Sequence, residues 1–145
     1  MLSLRIRDVM EHEKLITAPP YIAVSKAAEL MALRKVGAVL VVEDERLVGI
    51  FTERDVVFRV IAQGRDAQDT RLADVMTPAP QTVHPDRSFG YALLVMHENG
   101  FRHLPVVEGD KLIGIVSARN ALDPELEEFV AESQRRKQIQ AEGAA

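Results

Sequence analysis

The chain has 145 residues, of which 47% are hydrophobic and 28% are charged, and its formal net charge at pH 7 is −4. This composition is typical of a folded globular domain and excludes an intrinsically disordered chain. Cysteine is absent, which excludes disulfides, thiol nucleophiles and cysteine-based zinc sites and fits a reducing cytosol. The acidic balance disfavours nucleic-acid partners, and no apolar run reaches the ~20 residues of a membrane-spanning helix. We therefore expect a cytoplasmic protein with neither a nucleic-acid nor a membrane partner.

The first half of the chain predicts the order strand, helix, hairpin, helix. Residues 15–20 form an extended segment that ends in prolines, which are tolerated at a sheet edge, and residues 27–34 carry a helical apolar pattern. The apolar runs 39–42 and 47–51 are joined by a polar turn and predict a β-hairpin. Because both runs are continuously apolar, we expect helices on one face of the hairpin and a second apolar surface on the other. Thr52 stands where the N-cap of the next helix belongs.

The second half repeats this order after a polar linker at residues 63–70. An extended segment at 81–85 is followed by an apolar helical stripe that ends before Gly100, by a hairpin of the runs 104–107 and 112–116, and by Ser117 as the N-cap. A charged helix is expected from residue 123 to about residue 140, with a frayed tail over 141–145. The predicted division is therefore 6–65 for the first repeat, 66–122 for the second, and 123–145 for the C-terminal helix and tail.

The two halves are copies of one unit. A shift of 65 residues aligns residues 17–56 with 82–121 without a gap, and eleven of the forty pairs are identical. So many aligned positions indicate a duplication. The identical pairs are Thr17/Thr82, Pro20/Pro85, Ala27/Ala92, Met31/Met96, Val41/Val106, Val42/Val107, Glu43/Glu108, Leu47/Leu112, Gly49/Gly114, Ile50/Ile115 and Arg54/Arg119.

Several motifs recur at matching places in the two copies. Asp-Val-Met leads each copy at 8–10 and 74–76, and the hairpins end in Leu-Val-Gly-Ile-Phe-Thr-Glu-Arg-Asp at 47–55 and in Leu-Ile-Gly-Ile-Val-Ser-Ala-Arg-Asn at 112–120. This duplicated set resembles a tandem pair of cystathionine β-synthase (CBS) domains, a Bateman module, from about residue 6 to residue 121. The resemblance implies an α+β (mixed α/β) fold of two β-α-β-β-α repeats related by a pseudo-twofold axis.

The resemblance also implies two clefts between the copies, each a site for an adenine nucleotide or adenosyl ligand: AMP, ATP, ADP, NAD or S-adenosylmethionine. In the family an Asp three residues after the Thr or Ser binds the ribose hydroxyls, a role that falls to Asp55, whereas the second copy has Asn120. We therefore expect the Asp55 cleft to bind better. Arg102 and His103 match a phosphate-contacting position, where the first copy has 37–38, Gly-Ala. The residues expected in the first-repeat cleft are Ile16, Thr17, Ala18, Ala38, Thr52, Arg54 and Asp55, and those expected in the second-repeat cleft are Thr82, Val83, Pro85, Arg102, His103, Leu104, Ser117, Arg119 and Asn120.

The residue types support these roles and also allow simpler ones. A carboxylate accepts two hydrogen bonds from a vicinal diol, and arginine together with the start of a helix favours phosphate. The spacing Thr52-x-x-Asp55 is equally that of a capping box. Arg54 and Arg119 are also typical of surface ion pairs, and His103 fits a strand edge.

Nothing in the chain indicates catalysis. The sequence contains no G-x-S-x-G, G-x-x-x-x-G-K-[ST], G-x-G-x-x-G or H-E-x-x-H motif, and its four histidines have no metal-site spacing. We expect a non-catalytic sensor module with no obligatory cofactor and no metal site. Its expected partners are the small adenosyl ligand, a second copy in a homodimer, and an unidentified regulated protein. The alternative is a structural homodimerisation module whose clefts do not bind.

Overall fold

The computed structural model describes residues 2–121 and 123–144. Its elements follow the predicted order in both halves. The helices are α1 (Ile6–Val9), α2 (Val24–Arg34), α3 (Glu53–Asp55, continued by π-helical turns over Val56–Ile61), α4 (Leu72–Val75), α5 (Phe89–Asn99), a 3-10 turn (Ala118–Ala121) and α6 (Asp123–Ala144). The strands are β1 (Thr17–Ala18), β2 (Ala38–Glu43), β3 (Arg46–Thr52), β4 (Thr77–Pro78), β5 (His103–Glu108) and β6 (Lys111–Ser117).

Each half is built on one antiparallel hairpin. The β2–β3 hairpin lies at the centre of a four-stranded sheet in which β1 runs parallel to β2 and β4 antiparallel to β3. The β5–β6 hairpin has the same neighbours, reduced to single bridges: Val83 pairs parallel with Val106, and Glu11 pairs antiparallel with Ile115. The predicted fold class, α+β with two tandem repeats, is confirmed.

The two halves exchange their leading segments. Ile6 of α1 is fully buried in the core of the second half beside Phe89, and Glu11 bridges β6. Leu72 of α4 is buried in the core of the first half, and β4 pairs with β3. The predicted ranges 6–65 and 66–122 therefore follow the order along the chain, while each leading segment completes the other half in space. The division at 65 and 66 remains a prediction.

Both faces of each hairpin are covered by apolar side chains, as the continuous apolar runs predict. On one face the helices enclose two separate cores, with Phe51 at 0% exposure in the first and Leu104 at 0% in the second. On the other face the two hairpins meet through a small third cluster of Ala38, Leu40 and Ile50, packed against Ile115 and neighbouring leucines. This cluster holds the halves face to face.

Two glycines within the hairpins allow the exchanged segments to approach the strands. A Cβ placed on Gly114 would lie 2.7 Å from Sδ of Met10 and 3.0 Å from the carbonyl oxygen of Glu11, and a Cβ on Gly49 would overlap Sδ of Met76. Each methionine thus lies against the backbone of the other half's strand. The close approach at these glycines is a packing contact.

The C-terminal segment differs from the predicted tail. Residues 141–144 continue α6 to Ala144, and residue 145 lies outside the described residues. Ala and Glu are strong helix formers, and Gln138 donates a hydrogen bond to Glu142 one turn later at 3.4 Å, so the helix does not end where the charged pattern ends. Over the described residues, no helix combines the length and apolar character needed to cross a membrane.

We predict that Gly114→Ala lowers the free energy of unfolding by about 1–3 kcal/mol, because the added methyl group would press on the backbone of Glu11. Gly49→Ala should cost less, because its main obstacle is the flexible end of Met76. Urea denaturation measures both values. Gly143→Ala is the control, since nothing lies within 4 Å of its Cβ position. A Gly114→Ala variant as stable as this control would contradict the packing role.

Candidate functional site

Two cavities of about 720 Å³ each open between the halves. We name them the Asp55 cleft and the Asn120 cleft. The Asp55 cleft is lined from the first half by residues 50, 52–55 and 57–59, and from the second half by residues 77, 80–81 and 99–103. The Asn120 cleft is lined from the second half by residues 102–103, 115 and 117–120, and from the first half by residues 11, 14–16, 34–38, 40 and 53. The two clefts occupy equivalent places in the duplicated structure.

Each cleft combines the helix start of one half with the strand start of the other, which corrects the predicted grouping. Ile16 and Ala38 were expected beside Asp55, and they line the Asn120 cleft. Arg102 and His103 were assigned to the second-repeat cleft, and they line both. The cause is the face-to-face packing of the hairpins, which places the start of β5 opposite the helix that follows β3. The prediction assumed that one repeat supplies one cleft.

Six of the predicted site residues line neither of these two cavities. Ala18, Val83 and Leu104 belong to the helix-side cores, where their apolar side chains are 5% exposed or less. The others are the exposed Thr17 and Thr82 and the buried Pro85. The structure does bring together Thr52, Arg54 and Asp55 in one cleft, and Ser117, Arg119 and Asn120 in the other. That any of these residues binds a ligand remains a prediction.

Asp55 is held at the wall of its cleft by a capping box. The backbone N–H of Thr52 donates to Oδ2 of Asp55 at 2.8 Å, and the backbone N–H of Asp55 donates to Oγ1 of Thr52 at 3.4 Å. The residue is 8% exposed, and its Oδ1 lies 3.5 Å from Nε of Arg59. Each carboxylate oxygen can accept more than one hydrogen bond. The capping role predicted as the simpler interpretation is therefore present. Oδ2 also accepts from the Thr52 hydroxyl at 3.2 Å, so the acceptor capacity that remains is on Oδ1, beside Arg59.

Asn120 repeats one half of this geometry without the charge. The backbone N–H of Ser117 donates to Oδ1 of Asn120 at 2.7 Å, and its hydroxyl lies 3.3 Å from the same oxygen. The amide oxygen thus replaces the carboxylate oxygen in the cap, while the amide nitrogen is a donor. The two clefts share one backbone design and differ in the charge at this position.

The arginines of the Asp55 cleft are engaged within the protein. Arg59 donates to the carbonyl oxygens of Val75 and Met76 at 3.3 and 3.0 Å and pairs with Asp55. The guanidinium of Arg54 lies 4.8 Å from the centre of the Phe58 ring, a cation–π contact. These contacts fix the two side chains along the helix start, so Arg102 is the remaining cation of this cleft.

His103 lies in the wall that separates the two clefts. Burial lowers its pKa below the ordinary value; the nearby Glu53 carboxylate opposes this shift, and Arg119 and Arg102 add to it. The neutral imidazole is therefore the favoured form at pH 7. Gly37 makes room for this wall, because a Cβ there would lie 3.0 Å from Oε1 of Glu53 and 3.4 Å from Nε2 of His103.

Several residues that line the clefts were not predicted from the sequence. In the Asp55 cleft these are Glu53, Phe58, Gln81 and Phe101, and in the Asn120 cleft they are Lys14, Arg34 and Lys35. Two of these residues could have been predicted from the 65-residue offset between the repeats. Gln81 is the counterpart of Ile16, and Phe101 is the counterpart of Val36, so assigning each strand start to the opposite helix start would have found them.

The comparison with family models and curated proteins agrees with the duplicated fold. The model of the CBS domain family matches residues 6–62 and 72–124. The Meiotically up-regulated gene 70 protein of Schizosaccharomyces pombe is 41% identical over 111 residues, which are 68% of this chain and 15% of that protein. The CBS domain-containing protein YhcV of Bacillus subtilis is 37% identical over 112 residues, which are 77% of this chain and 79% of YhcV. The chain thus spans a small part of the first relative and most of the second.

Solved structures share the architecture. A putative signal-transduction protein with CBS domains from Burkholderia ambifaria is 35% identical, with a TM-score of 0.74 over 78% of this chain and 83% of that chain. The CBS domain pair of protein MJ0100 has a TM-score of 0.77 at 22% identity, over 86% of this chain and 98% of that chain. That structure was solved in complex with 5′-methylthioadenosine and S-adenosyl-L-methionine.

We predict that the half-buried, neutral His103 makes the protein less stable in mild acid. The unfolded chain binds a proton at this residue near pH 6.5, whereas the folded chain binds it only at lower pH, so protonation favours unfolding. As the pH falls from about 7 through 6.5 toward the lower folded-state pKa, the free energy of unfolding should drop with a slope of at most about 1.4 kcal/mol per pH unit from this group. Urea denaturation across this range measures it. His103→Gln should flatten the slope, while His97→Gln, at an exposed histidine of α5, controls for the loss of a histidine. Equal slopes for the two variants would contradict the assignment.

Proposed function

The chain belongs to the CBS domain family and forms a CBS domain pair, a regulatory module, and we propose that it is a non-catalytic cytoplasmic sensor that binds an adenine nucleotide or other adenosyl ligand in the Asp55 cleft. The observation that carries this proposal is the position of Asp55. Its carboxylate is held in the wall of a cavity of about 720 Å³, and its Oδ1, which accepts no hydrogen bond from the described residues, retains acceptor capacity. CBS domain pairs are generally non-catalytic, and the absence of a catalytic motif agrees with this.

The surroundings of Asp55 suit the parts of an adenosyl ligand. The carboxylate can accept both hydroxyls of the ribose. Ile50, Phe58, Pro80 and Phe101 supply apolar surface within the same cavity for a purine ring. Arg102 supplies positive charge on the opposite side from the helix start. The cleft therefore offers a complementary group for the sugar, the base and an acidic tail.

The ligand class is inferred from this cleft and from the family. Protein MJ0100 was solved with two adenosyl ligands, and at 22% identity that similarity supports the shared fold. AMP, ADP, ATP, NAD and S-adenosylmethionine all carry the ribose and adenine that the cleft suits. We propose this class without choosing among its members.

A ligand in this cleft would contact both halves of the chain, and this suggests how binding becomes a signal. The helix start comes from one half and the strand start from the other. A ligand that fits one relative arrangement of the halves better than another shifts the population toward it by the difference in affinity. We propose that an unidentified regulated protein reads this arrangement.

A structural homodimerisation module is the second candidate, and the exposed apolar side chains of the helices favour it. Leu33, Val57, Ile61 and Leu94 are between 53% and 78% exposed, and exposed apolar groups of this kind suit a symmetric interface between two copies. Analytical ultracentrifugation measures self-association. A dimer that ignores every adenosyl ligand would favour this candidate over the sensor.

We predict that Asp55→Asn weakens adenosyl-ligand binding while preserving the fold. The amide can accept from the Thr52 N–H as Asn120 does from Ser117, so the cap persists, while the lost charge-assisted hydrogen bonds should lower affinity by about tenfold or more. Thermal-shift titration with AMP, ADP, ATP, NAD and S-adenosylmethionine measures this. A ligand at 100 times its Kd should stabilise the wild-type chain by about 2.7 kcal/mol.

Two further variants separate the cap from the ligand contact. Asp55→Ala should lose both ligand affinity and about 0.5–2 kcal/mol of stability. Asn120→Ala should lose the equivalent cap in the other half and keep the response that depends on Asp55. If Asp55→Asn responds to the ligands as strongly as the wild type does, Asp55 only caps the helix and the ribose assignment is wrong.

A further inference from the structure

We propose that the Asn120 cleft binds the phosphate chain of a ligand with several phosphate groups. This inference deepens the proposed function and rests on its premise that the clefts bind ligands. It assigns the two clefts different chemistry: the Asp55 cleft recognises the ribose, and the Asn120 cleft recognises polyphosphate.

The first observation is the charge of the cleft. Five cationic side chains line it, against the two carboxylates of Glu11 and Glu53. Among the side chains that the structure describes, those of residues 2–120, 128–129 and 131–143, no ion pair includes any of the five. The Asp55 cleft is different, because Arg59 there is paired with Asp55 itself. The five cations are Lys14, Arg34, Lys35, Arg102 and Arg119.

The second observation is that this charge is specific to one copy. The 65-residue offset places Asn99 opposite Arg34 and Gly100 opposite Lys35, and both counterparts line the Asp55 cleft. The helices α2 and α5 end at the same place in the two halves. The same backbone position therefore carries two cations in one cleft and none in the other. An excess of positive charge in a concave site attracts anions.

The third observation is the backbone of Lys35. It has φ +56° and ψ +45°, the left-handed conformation that ends α2, and Gly100 ends α5 with φ +72°. Glycine takes this conformation without the crowding that a Cβ causes. The first half thus has a lysine at a position where glycine would be less strained. Residues in such rarely populated backbone conformations are concentrated at ligand sites.

The fourth observation is the neutral residue at position 120. A carboxylate beside the cations would repel a phosphate chain, whereas the amide of Asn120 adds no negative charge and presents a donor nitrogen. The exchange of Asp for Asn and the gain of two cations therefore act in the same direction. Both favour a highly charged anion in this cleft.

The experiment compares binding of inorganic tripolyphosphate and ATP by calorimetry at constant ionic strength, since free ions screen such contacts. The test variant is Arg34→Asn/Lys35→Gly, which gives the Asn120 cleft the residues found in the Asp55 cleft. We expect tripolyphosphate affinity to fall by about tenfold or more. The melting temperature should stay unchanged or rise, because Lys35→Gly relieves the left-handed residue. Asn120→Asp should also weaken tripolyphosphate binding.

The matched control is Arg65→Asn/Lys111→Asn, which removes two positive charges at exposed residues that line neither cleft. The proposal is overturned if tripolyphosphate does not bind, if the control loses as much affinity as the test variant, or if the test variant loses stability and retains affinity. The last result would mean that the two cations serve only the end of α2.

The adenosyl-ligand and tripolyphosphate measurements also distinguish failure of the polyphosphate assignment from failure of the proposed function. If adenosyl ligands bind through Asp55 and the Arg34→Asn/Lys35→Gly variant binds tripolyphosphate normally, the proposed function stands and the polyphosphate assignment is wrong. If tripolyphosphate binding depends on Arg34 and Lys35 and no adenosyl ligand in the panel binds, the polyphosphate assignment stands and the adenosyl assignment is wrong. Binding of ATP and tripolyphosphate with the same dependence on Arg34 and Lys35 would show that the phosphate chain is what this cleft recognises.

Discussion

The arrangement of this protein depends on the contact between the two β-hairpins. Ala38, Leu40 and Ile50 of one hairpin pack with Ile115 and leucines of both halves, so burial of a small apolar surface holds the two hairpins face to face. The cluster is central and limited in extent. Its edges leave two openings, and these are the clefts.

The exchanged leading segments strengthen this contact by a different means. Ile6 fills the core of the second half and Leu72 fills the core of the first, so neither half completes its core from its own consecutive residues. Arg59 ties α3 to the carbonyl ends of α4, which connects the helix start of the Asp55 cleft to an exchanged segment. The geometry of the cleft is therefore coupled to the packing of both cores.

Much of the fold could be predicted because each element of the repeat occurs twice in the sequence, so the pattern in one copy supports the prediction in the other. Local residue chemistry predicted the caps at Thr52 and Ser117 and the end of α5 before Gly100. Contacts between the halves could not be read in this way. Ile16 was placed with Asp55 because both lie in one repeat, whereas the cleft forms across repeats.

The wall shared by the clefts has a further thermodynamic consequence. Arg102, His103 and Glu53 line both cavities, so an occupant on one side that draws Arg102 toward itself changes the electrostatic potential on the other. Occupancy of the two sides cannot then be independent. By linkage, the factor by which the first occupant changes the affinity of the second equals the factor by which the second changes the affinity of the first. If the two occupants differ and each lowers the affinity of the other, the protein would respond to the ratio of their concentrations.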